Sequence, residues 1–256
     1  MKIILWILLV SGVSSAQTFV ETAIGPRATG YLGIGKDPIY TDRILNAVAL
    51  PASFDWWSKG VMTPIKDQGN CGSCYSFAIT RSFESALMIQ SGKPALDLSE
   101  QQIVSCSGAY GCGGGFMDTA SFVVNVGLTD EASFPYTARN SRCRSVTVKE
   151  KAIKYELLGS QSRRPTVDEI KTALITYGPV FVTVSAGGSG WSGSTGSITR
   201  CRNRGTNHMV VLTGWDDKGN WRLDNSWGTN WGNKGHTLIK FGCDEVASEV
   251  GFIVTE

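Results

Sequence analysis

Histidine is scarce in this sequence: the 256 residues hold two, His208 and His236. A reaction needing a base that titrates near neutrality therefore has two imidazoles to draw on. Charge runs are missing as well. Lysine and arginine are scattered, the formal net charge is +2, and the closest basic neighbours are pairs such as Arg163-Arg164, so nothing marks a nucleic-acid surface. Past the first residues no apolar stretch approaches ~18 in a row, which leaves no candidate for a spanning helix. There is no internal repeat, no low-complexity tract and no Asn-x-Ser/Thr acceptor for a glycan. What remains, at 42% hydrophobic and 18% charged, is an ordinary globular composition large enough for one or two cores.

Lys2, the apolar run Ile3 to Val10 and the small residues Val13-Ser14-Ser15-Ala16 form the pattern of a cleaved secretory signal over residues 1–16. The expected location is the secretory pathway, with a lysosome, a vacuole or the extracellular space as destination and no membrane association after cleavage. Residues 17–49 contain no cysteine and few aromatics, and Gly25-Pro26, Gly30, Gly33 and Gly35 interrupt them. Within that stretch Tyr40 to Asn46 is expected to form a short helical turn.

Seven cysteines follow: Cys71, Cys74, Cys106, Cys112, Cys143, Cys201 and Cys243. An odd count in a secreted chain leaves one thiol free if the others pair, and six cysteines allow 15 pairings. The candidate free thiol is Cys74. Tyr75 to Gln90 carries Phe77, Ile79, Phe83, Ala86, Leu87 and Ile89 at helical spacing, with Gly92 just beyond as a stop. Cys74 thus opens a largely buried helix, where free N–H groups and the dipole favour an anion, and only the thiolate is nucleophilic. Two other readings of Cys71-x-x-Cys74, a thioredoxin-like redox pair and half of a zinc site, lack their context: no βαβ pattern precedes it, and no second Cys-x-x-Cys or nearby histidine completes it. No metal or organic cofactor is expected.

The stretch Gln68-Gly69-Asn70-Cys71-Gly72-Ser73-Cys74-Tyr75-Ser76-Phe77 closely resembles the active-site segment of papain-like cysteine proteases, in which a histidine and an asparagine follow about 130–150 residues later. His208, in Asn207-His208-Met209-Val210-Val211, lies 134 residues after Cys74, and Asn225 stands in Asp224-Asn225-Ser226-Trp227-Gly228-Thr229-Asn230-Trp231-Gly232. The resemblance implies a cysteine endopeptidase with Cys74 as nucleophile, His208 as proton shuttle, Asn225 as its orienting amide and Gln68 as oxyanion donor. It further implies substrate contacts from Gly114, Gly115, Phe116, Met117, Asn207, Trp227 and Trp231, and a specificity-pocket floor at Ser248 or Glu249. Disulfides Cys71–Cys112, Cys106–Cys143 and Cys201–Cys243 follow from the same resemblance. His236 is left a structural role. Tyr75 departs from the commoner tryptophan after the nucleophile.

The resemblance covers Leu50-Pro51-Ala52-Ser53-Phe54-Asp55-Trp56 onward, so residues 50–256 are expected to be the mature peptidase domain and 17–49 a short propeptide that blocks the cleft, or else a plain N-terminal extension. The long helical propeptide motif of cathepsin L-type enzymes is absent, as is the histidine-bearing insertion that makes cathepsin B an exopeptidase. Ser99 reads as a helix N-cap with Gln102 in the box position, Asp118 to Val126 and Asp168 to Leu174 read as helices, and Gly187 to Gly193 as a mobile loop. Strands are expected at Val180 to Val184, Met209 to Leu212, Asn220 to Leu223 and Thr237 to Lys240. Helices first and strands later give an α+β class: a papain-like two-lobe fold, a helical N-terminal lobe at about 60–155 and a β-barrel-like C-terminal lobe at about 156–256, with the cleft between. Expected partners are protein or peptide substrates, the chain's own propeptide and cystatin-type inhibitors, the chain itself being a monomer. A papain-fold binding or storage protein is the competing class, but it would be expected to have lost the nucleophile or the base. An amino- or carboxypeptidase would need a cleft-blocking insertion.

Overall fold

The computed structural model describes residues 27–41, 49–192 and 196–256. The expected signal segment 1–16, residues 17–26 and 42–48 lie outside the described residues, and so does most of the expected helical turn at 40–46.

In chain order the main elements begin with β1 (Tyr31–Gly33), β2 (Tyr40–Thr41) and β3 (Phe54–Asp55), then the helices α1 (Cys74–Gln90) and α2 (Glu100–Cys106). β4 (Gly115–Phe116), α3 (Ser121–Asn125), β5 (Lys154–Leu158), α4 (Val167–Tyr177), β6 (Val180–Val184), α5 (Ser189–Ser192) and β7 (Ser197–Ile198) come next. β8 (His208–Trp215), β9 (Asn220–Asp224), β10 (His236–Lys240) and β11 (Val250–Val254) complete the set. One sheet of nine strands runs β2-β5-β11-β6-β8-β9-β10-β7 with β3 added against β8, and β1 pairs in parallel with β4. Among the described residues the β-rich half is an open mixed sheet: β2 and β7 end the strand order and no barrel closes, where a barrel-like lobe is expected from the sequence. Tyr40-Thr41, expected in a helical turn, is instead a strand laid parallel on β5, whose edge would otherwise be unpaired.

The central strands are buried along their whole length because both faces of the sheet are covered. Successive side chains divide between two cores, as the period of two requires. Phe181, Met209, Val211 and Ile253 pack with α1, α2 and Met117; Val182, Val210, Leu212 and Phe252 pack with α4 and the tryptophans.

Helix α1 has no wet face over its first four turns. Cys74 to Leu87 are all buried, so its polar side chains need internal partners. Ser76 donates to Glu100 O at 2.7 Å; Glu84 accepts from Thr63 Oγ1 and Leu98 N–H at 2.6 and 2.8 Å; Arg81 binds Asp224 through Nε and Nη2 at 3.1 and 3.0 Å and Pro64 O at 2.8 Å. At α2, Ser99 caps as expected, taking the Gln102 N–H at 3.0 Å, but the Gln102 side chain turns away to Thr129 N–H and Gly127 O, leaving the box half made. The complete capping box belongs to α4, between Thr166 and Glu169. The expected mobile loop carries the helical turn α5, held by Trp191, which is 1% exposed.

Candidate active site

Three disulfides join Cys71 to Cys112, Cys106 to Cys143 and Cys201 to Cys243, and Cys74 is the free cysteine. The first of these fixes the loop before α1 against the Gly111–Gly115 turn. Cys74 Sγ receives backbone N–H polarity from Met209, Tyr75, Gly30 and its own residue, but burial outweighs these donors and pushes its pKa up to about 12. Met209 is the neighbour of His208 on β8, so the strand that carries His208 also reaches the Cys74 sulfur with its backbone.

His208 is fully buried, and its Nε2 lies 2.8 Å from Asn225 Oδ1. The same oxygen accepts the Ser226 N–H at 2.8 Å. A backbone N–H can only donate, so the atom facing both groups is the carbonyl oxygen, and His208 must carry its proton on Nε2. Nδ1 is then the bare acceptor, and no group among the described residues binds it. Trp227 stacks on the imidazole with ring centres 4.8 Å apart, and Trp191 meets it edge-on. Trp231 sits behind both, 2% exposed, donating to Trp191 O at 2.7 Å; its place is in the wall that keeps water from the His208–Asn225 bond. Burial lowers the His208 pKa to about 4, the Asn225 bond offsetting part of the effect.

Gln68 is held from both ends. Its Oε1 accepts from Ser226 Oγ at 2.6 Å, and Nε2 donates to Cys71 O at 2.8 Å. The other Nε2 proton goes to Ala28 O at 3.2 Å, the oxygen to which Trp227 Nε1 donates at 3.1 Å. Ser73 Oγ lies 2.6 Å from the Tyr136 hydroxyl, which donates to Gln68 O at 2.8 Å, so Tyr136 ties the loop together.

The cleft is occupied by the chain itself. Gly30 and Tyr31 donate N–H bonds to Asn207 O at 3.2 and 3.0 Å, and Gly115 N–H binds Gly30 O at 2.8 Å. A Cβ at Gly30 would stand 1.9 Å from Gly72 O, so only glycine passes this point. Tyr31 is buried in the core that holds Met117, and burial plus the nearby Glu249 carboxylate raise its hydroxyl pKa. Glu249 itself is half-buried and accepts from Thr183 Oγ1, whereas the Ser248 hydroxyl is turned to Glu245 O at 2.8 Å. Farther along, the Asp118 carboxylate accepts the N–H groups of Lys36 and Asp37 at 2.8 and 3.1 Å. Gly114 and Gly115 line the cleft under this segment, and a Cβ at Gly115 would meet the Tyr75 ring at 2.6 Å. The hydroxyl that Tyr75 carries in place of an indole reaches Gly111 O at 3.1 Å. Phe116 is half-buried near Tyr110.

His236 does more than fill space. Its Nδ1 lies 2.6 Å from Asp224 Oδ1, and the buried Asp224 also accepts from Trp57 Nε1 and from Arg81. Asp224 directly precedes Asn225. Sequence reading gave no hint of this group, since its members meet only across the sheet and helix.

A buried free thiol at a helix start, a tautomer-fixed imidazole, an orienting amide and a side-chain amide donor define the site class of a cysteine protease. The family model of the papain family cysteine proteases matches residues 50–252, and the chain belongs to that family. It is 35% identical to human cathepsin O over 204 residues, 76% of this chain and 63% of that protein. It is 36% identical to the senescence-specific cysteine protease SAG12 of Arabidopsis thaliana over 75% of this chain and 57% of that protein. The chain therefore spans somewhat under two thirds of the length of these relatives. Among solved structures, procathepsin L 3 from the larval midgut of Tenebrio molitor superposes with TM-score 0.76 at 28% identity, covering 89% of this chain and 76% of that one. The Carica candamarcensis cysteine protease CMS1MS2, in complex with E-64, superposes with TM-score 0.72 at 28% identity, covering 81% of this chain and all of that one.

Proposed function

We propose that residues 50–256 form a cysteine endopeptidase that hydrolyses peptide bonds through an acyl-enzyme, and that the segment before them is its inhibitory propeptide. The observation that carries the mechanism is the His208 tautomer: with Nε2–H committed to Asn225, Nδ1 is free to take the proton of the one unpaired cysteine. In an opened cleft, Nδ1 removes the Cys74 proton and the thiolate attacks the substrate carbonyl carbon. The oxygen that turns negative is received by Gln68 Nε2–H and the Cys74 N–H. As the intermediate collapses, the imidazolium proton passes to the leaving amine; water, deprotonated by His208, then releases the acid product and the free thiol.

Ala28 to Tyr31 support the propeptide reading by occupying these same groups: Ala28 O holds the Gln68 donor and Gly30 and Tyr31 hold Asn207 and Gly115. In the mature cleft, Gly114 to Met117, Asn207 and Trp227 would contact substrate, and Glu249 would floor the pocket that Tyr31 fills. The proposed setting is the secretory route, ending in a lysosome, a vacuole or outside the cell, with cystatin-type inhibitors as candidate partners of a monomeric enzyme. The test is thiol labelling with an epoxide or iodoacetamide, mapped by mass spectrometry, alongside peptide hydrolysis. Selective modification of Cys74 that abolishes hydrolysis and slows in His208→Ala is expected; an inert Cys74 beside retained hydrolysis, or no hydrolysis after segment removal, overturns the reading.

A further inference from the structure

Beside the cleft lies a second cavity of about 380 Å³, lined by Ala186, Gly188, Arg202, Arg204, Thr206 and Asn207 among others. Its backbone frame is heavily anchored. Cys201 is bonded to Cys243, Arg202 N–H is taken by Asp244 Oδ1, Arg204 N–H by Ser185 Oγ at 3.2 Å and Gly205 N–H by Glu245 Oε1 at 2.9 Å. The turn that presents these two acids keeps Asp244, Glu245 and Ala247 at φ of 49°, 53° and 59°, a left-handed conformation that non-glycine residues hold only when the surroundings enforce it.

The acids are thereby directed at other partners. The second oxygen of Asp244 accepts the Trp191 indole N–H at 2.8 Å, and Glu245 Oε2 lies 3.9 Å from Arg164. The guanidinium groups of Arg202 and Arg204 are exposed, and neither enters an ion pair among the described residues. Two cations two residues apart on a rigid loop, neither of them ion-paired among the described residues, favour a planar anion that both can share.

The wall between this cavity and the cleft is thin. Asn207 clamps Ala186 through its side chain, Oδ1 to N–H and Nδ2 to O, both at 2.8 Å. The backbone oxygen of the same residue holds the chain lying in the cleft, and the next residue is His208. A side chain projecting from an extended substrate close to the reacting carbonyl therefore faces Arg202 and Arg204 across one residue.

We propose that Arg202 and Arg204 form a subsite for the carboxylate side chain of a substrate Asp or Glu flanking the bond to be cut, an assignment that rests on the peptidase reading above. Internally quenched peptides carrying Glu, Gln or Lys at each flanking position would be compared on the activated enzyme, on Arg202→Gln, Arg204→Gln and the double variant, and on Arg200→Gln, whose exposed side chain lies outside the cavity. At one position Glu is expected to exceed Gln in kcat/KM by about tenfold, less at high salt because exposed charges are screened. The ratio should fall to about one in the double variant and stay in Arg200→Gln. Equal cleavage of Glu and Gln peptides at every position, or a preference surviving in the double variant, overturns the subsite. So does retention on a sulfated polysaccharide column that the double variant loses while no peptide discrimination exists, which makes the arginines a polyanion patch. Failure of the underlying reading looks different: no peptide is cut and Cys74 is not labelled, and both proposals fall together.

Discussion

Gln68 and Asn225 do with amides what charged side chains would do at greater electrostatic cost. Asn225 Oδ1 takes two donors and thereby sets the His208 proton on Nε2; Gln68 is gripped by Ser226 and Cys71 with one N–H left to aim into the cleft. Because that N–H is fixed before substrate arrives, Gln68→Ala is expected to lower kcat by about 10²–10³ with little change in KM. Steady-state kinetics on the activated enzyme checks this, and a loss confined to KM would remove Gln68 from the oxyanion role. Glu249 supports a second expectation. Its charge acts on the Tyr31 hydroxyl, and on the proposal that it floors that pocket activated enzyme should cut Arg-Arg as well as Phe-Arg peptides, and Glu249→Gln should lose the Arg-Arg activity by about tenfold, about 1.4 kcal/mol, while keeping Phe-Arg. No Arg-Arg cleavage by the parent enzyme would remove the acidic floor. The proposed nucleophile, base and amides could be picked out as candidates because the family resemblance ties them to short patterns at fixed separations. Ser226 and Tyr136 were not: each acts on Gln68 from 158 and 68 residues away, and a serine or tyrosine in a loop has no local signature for that task.

Helix α1 was legible as a buried helix from its apolar spacing, but not the reason it tolerates an arginine at its centre. Arg81 lies on the same side of α1 as Cys74, two turns on, and its guanidinium reaches Asp224, the residue before Asn225. The pair ties the helix that begins at Cys74 to the end of β9, one residue before Asn225. Taking Arg81 away leaves the buried Asp224 carboxylate with the Trp57 and His236 contacts alone, so Arg81→Met in a Cys74→Ser background should destabilise by about 3 kcal/mol in urea unfolding, the low end for a broken buried pair. Replacing Asp224 by Leu as well should recover only part of the loss, because Trp57 Nε1 and His236 Nδ1 then lose their shared acceptor. A single variant as stable as the parent would show the pair to be dispensable. β11 escaped the sequence reading because a strand buried on both faces shows no alternation, β5 because its alternation runs only from Lys154 to Leu157, and β2 because two residues gain strand character only from the edge they meet.

Across the whole molecule, the segment from Ala28 to Thr41 is clasped at three places: the Gln68 and Asn207 contacts over the site, the Asp118 carboxylate at Lys36 and Asp37, and β2 on the sheet edge. Beneath it the dyad is neutral between about 4, where His208 gains a proton, and about 12, where Cys74 loses one. Opening admits water and removes the desolvation that causes both shifts. If the opened pair is thiolate and imidazolium, it holds one proton in total, as the closed pair does, so opening neither takes up nor releases a proton in mildly acidic solution. Iodoacetamide labelling of Cys74 in the intact chain should then be slow and nearly flat from about pH 5 to 7. A lone thiol with an ordinary pKa near 8.5 would instead give a rate rising about tenfold per pH unit over that range. His208→Ala should convert the first profile into the second, and a sloping profile in the parent chain would rule out the ion pair. Asp118→Ala, which removes two charge-assisted bonds to the segment, should raise the plateau by about tenfold or more without tilting it. Acceleration by that variant with an unchanged slope would place the effect on the clasp, while a changed slope would mean that Asp118 acts on the dyad.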